Sequence, residues 1–226
     1  MAYRDSTTAS GSSTTPSTAV PAGVKIGDIV ILIASTDASA AAFDTGDFPT
    51  GFTRFVDDTL TGDGQSIGIG WKRLTAVDSG SYTFGNVGAN AEWVCQAFAF
   101  SQRHATSAPV IGASALDSTL SNTPQAPAAN GVTAVEGDDL LWMCAPDVDT
   151  TGTYASWSVV PTNFTNVEEQ ENGFSVLLGA YRNNVAAGAT GTITGEFTHM
   201  NLSGWGCWLV RIPEFDLMPQ SVFRRR

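Results

Sequence analysis

Gly27-Asp28-Ile29-Val30-Ile31-Leu32-Ile33-Ala34 and Gly137-Asp138-Asp139-Leu140-Leu141-Trp142-Met143-Cys144-Ala145 are the two stretches that decide the fold. Each opens on a Gly-Asp turn signal and passes into an uninterrupted apolar run. The runs are far shorter than the ~18 apolar residues of a membrane span. Period-2 alternation is missing from Ile29–Ile33 and Leu140–Cys144, as expected of a strand covered on both faces. Each run ends near an aspartate, Asp37 in one and Asp147 in the other.

The surroundings of the two runs match as well. Asp5-Ser6-Thr7 recurs as Asp117-Ser118-Thr119, Thr15-Pro16 as Thr123-Pro124, and Gly23-Val24 as Gly131-Val132. Downstream, Pro49, Phe52 and Thr53 pair with Pro161, Phe164 and Thr165, and Trp71-Lys72 with Tyr181-Arg182. Ala76 pairs with Ala186, Tyr82-Thr83-Phe84 with Thr192-Ile193-Thr194, and Trp93-Val94-Cys95 with Trp205-Gly206-Cys207. So many positions in one order, at offsets between 108 and 112, read as a two-fold internal repeat over residues 5–101 and 117–212.

Each unit reads as strands. Ile67, Ile69 and Trp71 alternate with Gly68 and Gly70, leaving one bulky face. Thr61-Gly62-Asp63-Gly64 before them is a hairpin turn signal. Trp93, Cys95, Ala97 and Ala99 share one face of another strand, as do Trp205, Cys207 and Leu209. Helical periodicity is weak throughout. The fold class expected is all-β, an antiparallel, jelly-roll-like β-sandwich with a two-fold internal repeat. Residues 1–104 form the first repeat, 105–212 the second and 213–226 a C-terminal tail. The 105–130 stretch carries one charged residue, Asp117. It reads as a strand crossing between sheets rather than a solvated linker, so one pseudo-symmetric domain is expected.

Composition narrows function. Hydrophobic residues make up 42% of the chain, enough for a core, and charged residues 15%. The net charge of -11 argues against nucleic acid as a partner, which needs a basic footprint. No apolar window suggests a membrane span or signal peptide. From Ser6 to Thr18, ten of thirteen residues are Ser or Thr. Cys95, Cys144 and Cys207 lie in apolar runs and read as buried thiols, with a Cys144–Cys207 bridge between neighbouring strands as the alternative.

The residues offer little chemistry, and neither an enzyme nor a cofactor is expected. His104 and His199 stand in polar or strand-flanking positions, and no G-x-S-x-G elbow accompanies them. Glu92 and Glu196 are the carboxylates a glycosidase reading would use, each just upstream of a Trp-x-Cys strand. Asp147-x-Asp149 and Asp57-Asp58 with Asp63 offer oxygen ligands to calcium, though turn-forming aspartates give the same pattern. The candidate ligand-binding loops are the longer segments after the two apolar runs. They hold Phe43 and Phe48 in one half, and Asp147, Asp149, Tyr154 and Trp157 in the other; aromatic platforms suit sugar rings. The tail ends Phe223-Arg224-Arg225-Arg226, a basic, apolar candidate for an assembly anchor on an acidic protein.

Taken together, Pro21–Val24, Gly27–Ala34, Pro49–Thr53, Trp71-Lys72 and Gly80–Phe84, echoed in the second half, resemble bacteriophage minor structural proteins. The likeness is to β-sandwich modules of tail fibres, head fibres and capsid decorations, and it covers nearly the whole chain. It implies a non-enzymatic subunit on the virion surface, made in the bacterial host cytoplasm. The partners implied are other capsid or tail proteins, further copies of this chain and host surface polysaccharide. A carbohydrate-binding host-attachment module is the alternative reading.

Overall fold

The structure is a computed structural model that describes residues 3–37, 43–44, 46–60, 64–87, 91–101, 106–118, 125–148, 156–173, 175–198 and 202–214. Among these residues every regular element is a strand, and every strand pairing is antiparallel. The first sheet is ordered β1 (Tyr3–Ser13), β7 (Ala91–Phe100), β3 (Ile29–Asp37), β5 (Gln65–Arg73), β4 (Thr53–Thr59). The second is ordered β14 (Thr165–Asn172), β15 (Ser175–Arg182), β12 (Asp139–Val148), β19 (Leu202–Ile212), β8 (Val110–Ile111), with β9 (Ala115–Asp117) also on β19. Part of the weakly charged 105–130 stretch thus supplies edge strands to the second sheet. Read from opposite edges, the two sheets use their strands in the same sequence.

The sheets pack face to face into a sandwich. Ile29, Ile31, Ile33, Ile67, Ile69, Val94 and Phe98 of the first meet Leu141, Met143, Leu177, Trp208, Val210 and Ile212 of the second in one buried cluster. The intervening residues of the apolar runs point the other way. Val30, Leu32 and Ala34 lie in a second cluster on the outer face of the first sheet. Leu140, Trp142 and Cys144 lie in a third, on the outer face of the second sheet. Both runs are therefore buried on two faces, which is why they lack alternation.

The covers over the outer faces are short ribbons and loops. β2 (Ser17–Ala19) pairs with β6 (Ser81–Thr83) over the first sheet. Over the second lie β10 (Ala128–Ala129) with β17 (Ile193–Thr194), β11 (Thr133–Ala134) with β16 (Gly188–Ala189), and β13 (Ser156–Val159) with β18 (Glu196–Thr198).

The Gly-Asp turns are built alike. Gly27 N–H donates to Leu74 O (2.7 Å) and Leu74 N–H to Asp28 O (2.9 Å); Gly137 N–H donates to Val185 O (3.0 Å) and Val185 N–H to Asp138 O (2.8 Å). Both glycines hold positive φ, 89° and 88°, which favours glycine there. Each aspartate then folds back to accept a backbone N–H, Asp28 from Lys25 (2.8 Å) and Asp138 from Val135 (2.7 Å). The buried Asp28 carboxylate is neutralised by Arg4, Nε to Oδ2 2.6 Å.

Side chains stitch the sheets together at both edges of the sandwich. At one, Ser6 on β1 donates to Glu168 on β14 (2.5 Å), and Asn172 of β14 donates to the Gly11 carbonyl. At the other, Ser114 donates to Asp58 on β4 (2.5 Å), and the Trp208 indole N–H reaches both Asp58 (3.2 Å) and Ser114 (3.0 Å). The edge strands β4 and β14 each carry a bulge, after Arg54 and after Asn166. Bulges and inward-facing carboxylates discourage further strands from adding at an edge.

Candidate functional site

The sandwich has two unlike poles. At the turn pole lie both Gly-Asp turns. Tyr3 sits opposite Phe100, itself opposite Ile29, and stacks on Tyr181 at 4.3 Å between ring centroids. Glu214 N–H donates to Asp138 Oδ1 (3.0 Å). The chain therefore enters and leaves the described body at this pole. From the opposite pole, after Asp37 and Val148, spring the two aromatic-bearing segments that the sequence marks as candidate ligand loops.

The structure puts Phe43 and Phe48 in the core, a correction to their reading as ligand platforms. Phe43 is fully buried and Phe48 is 8% exposed. They lie across the outer face of the first sheet, where β5 presents glycine. A Cβ on Gly68 would stand 2.5 Å from Phe43 Cγ, and one on Gly70 2.7 Å from Phe48 Cδ1. Both rings meet Phe84 edge-on, at 5.1 and 5.2 Å. The alternation of Ile67, Ile69 and Trp71 with glycine carried this signal, because a glycine-lined face leaves a trough that another side chain must fill.

Trp157 on β13 is half-buried, packed on the fully buried Trp142 with centroids 4.9 Å apart. Its indole N–H and that of Trp205 are buried with no hydrogen-bond partner. Buried this way, neither N–H is presented to a ligand at the surface. Asp147 is 3% exposed at the end of β12, opposite Ser175 and Gly204. Asp149, Tyr154, Phe223, Arg224, Arg225 and Arg226 lie outside the described residues, as do His104, His199 and Asp63.

The two candidate acids are not brought together. Glu92 lies near the start of β7 beside Gly173, whereas Glu196 lies on β18, in the layer beyond the second sheet. Of the aspartates considered for calcium, Asp57 pairs with Arg54 (3.0 Å) and Asp58 accepts from Ser114. No group of three or more metal-ligating side chains gathers among the described residues.

At the stitched edge of β1 and β14 a chain of hydroxyls ends on a half-buried carboxyl. Tyr3 Oη–H donates to Ser6 Oγ (2.6 Å), which donates on to Glu168. Burial holds the Glu168 carboxyl above its ordinary range and pushes the Tyr3 hydroxyl up to about 12. Glu169 and Glu171 on the same strand are also raised, chiefly by burial. Sequence reading missed this chain, because Tyr3 and Ser6 lie far from Glu168 along the polypeptide.

No family model, curated protein or solved structure matches the chain.

Proposed function

We propose that the protein is a non-enzymatic structural subunit of a bacteriophage particle, a capsid decoration, head-fibre or tail-fibre component displayed on the surface. The polarity of the sandwich carries this reading. Chain entry and exit at Tyr3 and Glu214 share the turn pole, and the chain leaves β3 and β12 at the other, after Asp37 and Val148. A body whose chain enters and leaves at one pole can be anchored there and stand out from a particle with the other pole foremost. The basic, apolar tail 215–226 continues from Glu214 at the turn pole, where an anchor to capsid or tail protein belongs. The resemblance to phage β-sandwich modules supports the same placement.

The test is mass spectrometry of purified particles, followed by imaging to locate the chain's density. Regular copies whose turn pole faces the particle would support the proposal. Particles without the chain would refute it. If recombinant protein bound host polysaccharide and the particles lacked the chain, the carbohydrate-binding reading would replace it.

A further inference from the structure

The second sheet places two of the three cysteines face to face. Cys144 on β12 stands directly opposite Cys207 on β19, in a register that runs unbroken from Asp139 to Asp147. Both side chains belong to the buried cluster on the sheet's outer face. The hydrogen-bond phase of the ladder fixes what kind of pair they are. Gly112 N–H donates to Leu209 O (2.9 Å), so the backbone groups of Leu209 point toward β8 and away from β12. Cys207, two residues earlier on the same strand, shares that orientation. Cys144 and Cys207 are thus a non-hydrogen-bonded pair, the kind whose Cα atoms approach to about 4.5 Å with side chains closer together. That spacing falls within the range a disulfide spans.

We propose that Cys144 and Cys207 are a redox pair that closes into a disulfide between β12 and β19 when the folded protein meets a small two-electron oxidant. With hydrogen peroxide the first thiolate attacks one peroxide oxygen, breaks the O–O bond and becomes a sulfenic acid as hydroxide departs. The second thiolate then attacks that sulfur, forming the S–S bond and expelling the oxygen as a second hydroxide. The two thiol protons convert both hydroxides to water. The sulfurs are oxidised together by two electrons and the peroxide is reduced by two. Burial, then the neighbouring Cys144 thiol, pushes the Cys207 thiol up. Reaction is therefore slow and follows transient opening of the ladder.

The first sheet supplies the control. At the matching ladder position Ala34 faces Cys95, so the third thiol has no cysteine across from it.

The experiment treats full-length protein with hydrogen peroxide under native conditions, alkylates it in denaturant and maps peptides without reduction. A parallel sample is refolded in reduced and oxidised glutathione. The expected product is a Cys144–Cys207 peptide lighter by two hydrogens, with Cys95 alkylated. The unfolding midpoint should rise by roughly 5–10 °C, reversibly with dithiothreitol. Cys144→Ala, which copies the Ala34–Cys95 pair, should abolish both changes, and Ala34→Cys should create a second bridge to Cys95. Absence of the Cys144–Cys207 bridge in both samples, or sulfinic acid at either cysteine in its place, would overturn the proposal.

Discussion

The two sheets share a strand order and differ in where they put their bulk. Facing the other sheet, the first sheet presents Phe98 opposite Ile31, with Ile69 nearby on β5. At the matching positions the second presents Val210 opposite Leu141, and Gly179 on β15. The ring of Phe98 lies over Gly179, where a Cβ would stand 2.5 Å from Phe98 Cζ. Large on one side meets nothing on the other. Likewise Gln96 of the first sheet is matched by Trp208 of the second. The outer faces differ too: Gly68 and Gly70 make a trough for loop phenylalanines, whereas Leu178 and Ala180 fill the matching sites. Two sheets of the same strand order are therefore complementary where they meet, bulk on one lying against glycine on the other.

The largest loss is expected where one sheet is given the other's residue at the Phe98 contact. Gly179→Ile, which copies Ile69, is expected to cost about 3 kcal/mol or more by overpacking. Phe98→Val alone, which copies Val210, should cost about 2–3 kcal/mol through the cavity left behind. The double variant should lose at least about 1 kcal/mol less than the sum, measured by urea unfolding. Simple additivity would mean the two side chains do not share a space.

A comparable loss is expected for Trp208→Gln, which copies Gln96. It removes a buried indole together with its hydrogen bonds to Asp58 and Ser114, at about 3 kcal/mol by chemical denaturation. Gly68→Ala should cost about 1–3 kcal/mol by pressing on Phe43. At the neighbouring trough position the opposite change, Ala180→Gly in the second sheet, should cost only about 1 kcal/mol. Thermal midpoints would rank the two.

The smallest effect is a pH dependence of the β14 edge. The Glu168, Glu169 and Glu171 carboxyls are raised by burial, so the folded state binds their protons more tightly than the unfolded chain does. Their stabilising contribution is complete below the ordinary glutamate range and is lost as pH rises through their elevated folded values. Replacing all three by glutamine should therefore flatten the fall in stability across that window. A variant with the same slope as the parent would remove these carboxyls as its cause.

Much of this was legible in the sequence. The Gly-Asp turns and the apolar runs announced themselves, because a strand buried on both faces cannot alternate and a positive φ favours glycine. The mates of Ile29–Ile33 were harder to read, since register between sheets depends on side-chain volume, as at Phe98 and Gly179. Phe43 and Phe48 misled because an aromatic residue in a loop looks alike whether it faces solvent or falls back into a glycine trough. The Tyr3–Ser6–Glu168 chain was hidden by sequence distance alone.

Building each sheet from its own half of the chain also sets a timetable. Synthesis proceeds at about 5–20 residues per second, and domains tend to fold as they emerge. The first sheet holds all its strands once Phe100 is out, while the last main strand of the second ends at Ile212. For on the order of ten seconds, Ile31, Ile33, Ile69 and Phe98 wait on the ribosome without their cover. The nascent chain is then half a sandwich with one greasy side, and holding it apart from its neighbours becomes a task for the cell's chaperones.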